Sequence, residues 1–550
     1  MRERTVRRLL TRQALRYART NRIFSHNITY TSSARPQLAF LSIPSKKPTA
    51  RFLTTETKQR IKHEAKMVAR YMIGLWGTIT CLAVLHWTIN QELLERKYPT
   101  PHELSWITRI LMRGAFQAPN RPETVRVDWV EVIETSLDAL RRLEDPKIDG
   151  KGIKELVEGS IYVEGVGKLG YDVTDKSEHW RRGYYETLML AARAAEQLDG
   201  WVVDKTRGAV FPPDVVLGPS NPNPKPISVG SKSAPREEDC EMAYEPAENY
   251  YLRILTTKGF TSKQKLDAAL AYASFLDFKK LTDAAESMYR WALSLAVEDR
   301  LPATDSYDPN SLTLSEKAGP PSSNLLTAMT AFATHKASVG EISTALPMFI
   351  SVLKARRSLA NMPPAPKVSR EPSKSLLNSI LSFFQPPPYP DAPDDGTLPP
   401  WRNAQELCEE AALNLYIGEI LFATKDKEEG IAWTREAVDA AEEQLREVTE
   451  DKRTAVDTAA KKTCQQCLST GLYNWSTMAA TLAHIESERK KGAAESSTFS
   501  FWSRSKPDAA APGRWAAEEE VARERIRRTR TLLEEVAPPP SNPLMAVFKV

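Results

Sequence analysis

The chain is 550 residues long, carries 38 prolines and has a formal net charge of +5, so it has room for several domains while its clustered prolines assign much of it to linker and loop. The charge is uneven: residues 1–70 hold 17 Lys and Arg against three acids, whereas 71–550 hold 58 against 67. A basic leader before a mildly acidic body argues against nucleic acid as the partner of the folded part.

The leader opens MRERTVRRLLTRQALRYARTNRIF, with arginines at helical spacing around Leu9, Leu10, Leu15 and Ile23 and no acid between Glu3 and Glu56. An amphipathic cationic helix is drawn across a membrane with a negative interior, so 1–53 reads as a mitochondrial presequence and basic leader. A basic tail for membrane or RNA is the alternative. Arg22-Ile23-Phe24 and Arg51-Phe52-Leu53 both fit a matrix-peptidase cleavage site, and the sequence does not choose between them.

After a basic segment, 54–70, comes YMIGLWGTITCLAVLHWTI, Tyr71 to Ile89, without a charge. At ~1.5 Å per residue it spans about 28 Å, enough to cross a bilayer with little tilt. Tyr71 and Trp87 sit near its ends as interfacial aromatics do, and no second apolar run of this length exists. Lys58, Arg60, Lys62, Lys66 and Arg70 precede the span, whereas Arg96 and Lys97 follow among Glu92, Glu95 and Glu103. The positive-inside rule then puts the N-terminus in the matrix and the body in the intermembrane space.

Thr100-Pro101-His102-Glu103 has the form of a capping box and predicts a juxtamembrane helix within 90–120, running from Leu104 to Met112 and lying on the bilayer through Trp106, Ile107, Ile110 and Leu111. Further helices are expected over Trp129–Leu143, capped by Asp128, and Glu178–Leu198, within a helical part, 121–208. Between them Gly165-Val166-Gly167-Lys168-Leu169-Gly170 matches the dinucleotide fingerprint in form, but Tyr171-Asp172-Val173-Thr174-Asp175 is poor helix material, so a glycine-rich turn is expected. A Pro-rich insert follows at 209–237.

From 238 to 550 a pattern recurs. LAYASFLDFKKLTDAAESMYRWALSLA, Leu270 to Ala296, reads as two helices broken at Phe278 to Thr282, with Ala273, Ala285 and Ala292 where the helices meet. Phe332-Ala333 with Ala345, Phe349 and Val352 repeat it. Ile417-Gly418 with Gly430, Thr434 and Ala437 form a third copy, and Trp475-Ser476 with Ala522, Ile526 and Thr529 a fourth. Numbered on a 34-residue period, these occupy the small and aromatic positions of the tetratricopeptide repeat, which the hairpins resemble. The expected fold is therefore all-α, a tetratricopeptide-like helical solenoid with long Pro-rich inserts at about 300–322, 361–402 and 488–514, preceded by one transmembrane helix. Thr434 departs from the pattern where an aromatic is expected.

No HExxH, GxSxG or supported Cys/His pairing appears, and Glu409-Glu410 and Glu442-Glu443 fit solvated helix faces, so neither catalysis, cofactor nor metal is expected. Of the five cysteines, Cys464 and Cys467 form a CxxC on a helical stretch. Two buried small residues one turn apart is the reading adopted, with a redox carrier as the alternative.

A tetratricopeptide solenoid binds peptides on its concave side through set positions of each first helix. These fall on Asp267, Leu270, Ser274 and Asp277; Thr327, Thr330, Thr334 and Ala337; Ala412, Leu415, Glu419 and Phe422; Thr470, Tyr473, Thr477 and Ala480. The expected groove rests on Leu270, Ser274, Asp277, Thr330, Thr334, Leu415, Glu419, Phe422, Tyr473 and Thr477, a lining without the basic clamp that a chaperone's acidic tail needs. Two apolar patches, SKSLLNSILSFF (Ser373 to Phe384) and STFSFWSR (Ser497 to Arg504), either fold back as core or dock clients or a membrane partner.

In layout over roughly 55–548, and in the tract from Tyr71 to Phe116 with EGIAWTREAVDAA and GLYNWSTMAATLA, the chain resembles the fungal tetratricopeptide adaptors of the mitochondrial i-AAA protease, the mitochondrial genome required protein three family. The resemblance implies a non-catalytic adaptor in the inner membrane, whose partners are the AAA protease subunit, a second adaptor subunit, unfolded protein clients and the lipid bilayer. An assembly factor holding one respiratory-chain subunit is the competing expectation.

Overall fold

A computed structural model describes residues 55–121, 127–156, 161–163, 167–227, 233–298, 306–315, 319–361, 388–424, 426–450, 458–496 and 513–535. The leader, the Ser373 to Phe384 patch and the Ser497 to Arg504 patch lie outside them. The chain divides into two units, Met1–Leu85 and His86–Val550.

The described part of the first unit is helical, the beginning of α1, Thr55–Lys97. This helix is long and apolar enough to cross a membrane, with mean hydropathy 1.5 over its most apolar window and none of that window buried. Tyr71, Ile73, Leu75, Trp76 and Leu82 are all more than half exposed, a surface that apolar surroundings would cover.

In the second unit the helices follow one another as packed neighbours: α2 Trp106–Gln117, α3 Trp129–Glu144, α4 Glu178–Gln197, α5 Ala247–Thr256, α6 Ser262–Phe278, α7 Thr282–Val297, α8 Ser323–Val339, α9 Ile342–Arg357, α10 Ala404–Ala423, α11 Lys427–Glu450, α12 Thr458–Ser496 and α13 Arg514–Glu535. Each packs on the next in the chain, and α6 with α8 and α10 with α12 also meet. Local chemistry sets the starts: Asp128 accepts from the Val130 and Glu131 amides, Ser177 caps α4, Thr261 and Gln264 form a capping box, and Asn403 caps α10. Gly340, at φ 93°, ends α8 in the left-handed region.

The all-α expectation is corrected to mostly helical. Short antiparallel ladders pair β1 Lys154–Glu155 with β4 Tyr171–Asp172, β2 Ile161–Val163 with β3 Gly167–Leu169, and β8 Tyr307–Asp308 with β9 Thr313–Leu314, while β5 Val202–Asp204 lies between β6 Ala209–Phe211 and β7 Cys240–Met242. Gly165 and Val166 lie outside the described residues, while Gly167 to Leu169 form a strand and the next helix begins only at Glu178, so among the described residues no helix N-terminus stands there to receive a phosphate.

The capping box expected at Thr100 does not form. The Thr100 amide and hydroxyl donate instead to Glu95 in the last turn of α1, and α2 starts at Trp106 after Ser105. Glu95 is 2 % exposed and also takes Arg109 Nη2 at 3.0 Å and the guanidinium of Arg113, so a tertiary ion pair outcompetes the local cap.

Two cores result, and α10 serves both. Leu413, Ile417 and Ile420 join the larger core, which extends back to Leu104, whereas Cys408, Ala411 and Leu415 join a second with α11, α12 and α13. A helix with apolar residues on two sides belongs between two layers. Small residues allow the approach: a Cβ on Gly418 would lie 2.7 Å from Thr434 Oγ1, and one on Gly430 would lie 2.6 Å from the Phe422 amide. Thr434, fully buried with its hydroxyl donating to Gly430 O at 2.9 Å, stands where an aromatic ring would not fit.

Cys464 is bonded to Cys408, 56 residues earlier, with Cα atoms 5.0 Å apart, and the bridge ties α12 to α10. Cys467 is a buried free thiol that burial, with Glu409 nearby, pushes up to about 12, so it stays protonated. Cys464 and Cys467 are both buried, as the adopted reading expects, but they do not pair with each other.

Two substitutions test this packing by denaturant unfolding of the purified chain. Gly418→Ala should lower stability by about 1–3 kcal/mol, because the helices have no room to separate without losing contacts on both sides. Cys408→Ser should lower it by about 2–4 kcal/mol, and reduction of the wild type should do the same, the loop-closure value for so long a loop being near the upper end.

Candidate functional site

The expected groove residues fall into two groups. On α6 Leu270 is half-buried, Ser274 is exposed, and Asp277 is already engaged: its Oδ2 accepts from the Tyr289 hydroxyl at 3.0 Å and its Oδ1 lies 2.7 Å from His335 Nδ1 on α8. Burial, then the adjacent Asp277 carboxylate, holds the Tyr289 phenol above its ordinary value, so it remains a donor. Thr330 and Thr334 lie on α8, and each hydroxyl donates one turn back, to Leu326 O and Thr330 O. The Asp277–His335 contact brings this group together.

The second group lies on α10 and α12. Leu415 is buried in the second core, at 5 % exposure. Glu419 is half-buried and accepts from Asn474 Nδ2; burial raises its pKa while the Asn474 bond opposes the rise. Phe422 packs partly in the core with the Lys427 ammonium 5.8 Å from its ring centre. Tyr473 is 70 % exposed, and Thr477 donates to Tyr473 O. Of the ten expected groove residues, those exposed are thus Ser274, Thr334, Tyr473 and Thr477, whose hydroxyls offer little to hold an apolar chain.

A larger apolar recess opens elsewhere, a cleft of about 1080 Å³ between α9, the β8–β9 hairpin and the segment before α10. Leu325 and Leu359 form buried parts of its lining, and Pro347 and Ile350 present one face of α9. Pro320-Pro321 line one wall and Leu398-Pro399-Pro400-Trp401 another. The latter is held by backbone bonds from Ser323 N to Leu398 O, Asn324 N to Gly396 O and Arg402 N to Ala360 O.

The wall chemistry follows from the residue types. Five prolines supply no N–H donor, so much of the backbone there demands no partner. The Ser351 and Ser358 hydroxyls donate to Met348 O and Ala355 O, and Ser351 Oγ accepts from the Leu314 amide, so these polar groups are already satisfied. Among the described residues Lys354 is the single charged one in the lining, and it is exposed. Leu398 at 66 %, Trp401 at 50 % and Ile350 at 38 % present apolar surface to whatever enters. The cleft suits an extended apolar chain of several residues, with Trp401 as a rigid anchor.

Sequence reasoning missed this site because its walls are the proline pairs that punctuate the inserts. The signal that could have found it is Trp401 directly after Leu-Pro-Pro, an aromatic in a stretch otherwise built like linker. Among the described residues no group of three His, Cys, Asp or Glu is placed to hold a metal ion.

The chain matches no family model and no curated protein. Among solved structures, the crystal structure of BtubC (BKLC) from P. vanneervenii is similar at 11 % identity, over 78 % of this chain and 95 % of that one, with a TM-score of 0.32. A likeness of that size carries no argument about fold or function.

Binding of a dye-labelled extended peptide of alternating leucine and serine, followed by fluorescence anisotropy on the full chain in nanodiscs, checks the assignment. Trp401→Ala should weaken it by about tenfold, ~1.4 kcal/mol, and Tyr473→Ala should leave it within about twofold.

Proposed function

We propose that this protein is a membrane-anchored, non-catalytic adaptor that holds unfolded segments of client proteins and passes them to an ATP-dependent AAA protease of the mitochondrial inner membrane, working beside a second adaptor subunit. The observation that carries the reading is the Trp401 cleft: an apolar trough that, among the described residues, has satisfied Ser351 and Ser358 hydroxyls, one peripheral cation and no group poised for bond-breaking fits exposed apolar chain. In this reading the hairpins from α6 to α13 form a degenerate tetratricopeptide-like solenoid, with Ala273, Ala285, Ala292, Ala333 and Ala345 at its helix contacts. The fit to the repeat comes from the sequence positions, and the burial of those residues supports it.

The proposed topology puts the N-terminus in the matrix and the helical body in the intermembrane space, which follows from the charge bias around Tyr71 to Ile89. The Cys408–Cys464 bridge supports it independently, since such bonds persist in compartments that permit oxidation. Anchoring then raises the concentration of client near a protease in the same membrane, so a weak and permissive cleft is sufficient.

A second reading, an assembly factor holding one respiratory-chain subunit during insertion, is favoured by the proline-built walls, which suit one shape better than many. Affinity purification of the tagged protein from gently solubilised mitochondria, with mass spectrometry, separates the two. The adaptor reading expects the AAA protease with many substoichiometric clients; one respiratory subunit at fixed stoichiometry without the protease would replace it with the assembly factor.

A further inference from the structure

The exposed face of α2 has no role in the cleft. Its opposite side, Thr108, Met112, Arg113 and Ala115, is buried against the body, while Trp106 and Ile107 are 60 % and 48 % exposed and Ile110, Leu111 and Gly114 are half-exposed. The two cations of the helix do not share that face. Arg113 is buried on Glu95, and Arg109 binds Glu95 and donates to Thr100 Oγ1 at 3.2 Å, so Glu95 at the end of α1 draws both inward. No charged side chain of α2 remains exposed.

Trp106 also touches the end of the apolar run directly. Its ring meets Trp87 edge-on, with centroids 5.5 Å apart and planes at 72°, two residues before that run ends at Ile89, which is itself 42 % exposed. Paired tryptophans beside an uncharged isoleucine face, continuous with the end of an apolar helix, are what the interface of a bilayer accommodates, because the indole body is apolar and its N–H stays near water.

We infer that the Trp106–Ile107 turn of α2 is a membrane-docking wedge that enters the lipid interface beside Trp87, with Glu95 locking it to the end of α1. This rests on the reading of α1 as a membrane span. The wedge gives the body an attachment to the membrane of its own, besides the span.

The full chain, carrying Cys81→Ser and Cys240→Ser to remove its exposed and half-exposed free thiols, can be labelled with an environment-sensitive dye at one new site, Ile107→Cys, Ile79→Cys or Ser274→Cys. The probes are reconstituted in phosphatidylcholine and phosphatidylethanolamine vesicles bearing a nitroxide lipid, with aqueous iodide as the second quencher. The wedge expects lipid quenching at site 107 at least about threefold stronger than at 274 and comparable to that at 79, with iodide showing the reverse order. Iodide access at 107 equal to that at 274, while 79 stays lipid-quenched, overturns the wedge and leaves the span standing. Shielding of 107 from both quenchers overturns it in favour of a protein cover. Loss of lipid quenching at 79 as well removes the span and the wedge together.

Discussion

Close approach between helices, set by residues with almost no side chain, is the constraint on which this body depends. Ala273, Ala285 and Ala292 are fully buried where α6 meets α7, and Ala333 and Ala345 are fully buried between α8 and α9. At α10 and α11 the approach is closer still, and Gly418 and Gly430 admit no Cβ. Such contacts gain little from each residue's own area, but they bring whole backbones and their larger neighbours into dispersion range. Tyr289 can then stack on Phe332 and Phe349 on Tyr416, linking each hairpin to the next.

Polar groups inside this packing act as joints and leave the cleft to apolar chemistry. Arg356 pairs with Glu406 where both are buried, joining α9 to the first turn of α10, and Arg253 binds Glu144 at 3.0 Å beside the Tyr184 hydroxyl. Asp277, Tyr289 and His335 form another joint across three helices. Removing one partner from such a pair strands a charge in low dielectric, so these positions fix geometry even where their net stabilisation is small. The Trp401 cleft lies outside this network and is bounded by prolines, whose restricted backbones hold its walls without needing further hydrogen bonds.

Much of the helical layout was legible because it is locally encoded. The break between Phe278 and Thr282, the Asp128 cap and the buried small residues of each hairpin depend on neighbours within a few positions, where periodicity and capping speak directly. What escaped depends on distance along the chain. Thr100 reads as a cap until Glu95 is folded against it, and Cys464 finds a partner 56 residues away while the adjacent Cys467 looks the better match. The strands are two or three residues long, too short for an alternating pattern. The cleft combines Pro320-Pro321, the face of α9 and Leu398 to Trp401, three stretches that carry meaning only once assembled. Three of the ten expected groove residues depend on distance in the same way: Asp277, Leu415 and Glu419 sit at peptide-binding positions of a repeat, and tertiary contacts already occupy them.

Hydrogen exchange on the full chain in lipid nanodiscs, with and without a chemically denatured client, tests most directly the claim that the apolar cleft receives unfolded chain. The account predicts client-dependent protection in 306–315, 347–360 and 396–402 and little change in 473–477. Protection confined to the exposed faces of α6, α8 and α12, with the cleft segments unchanged, would contradict it.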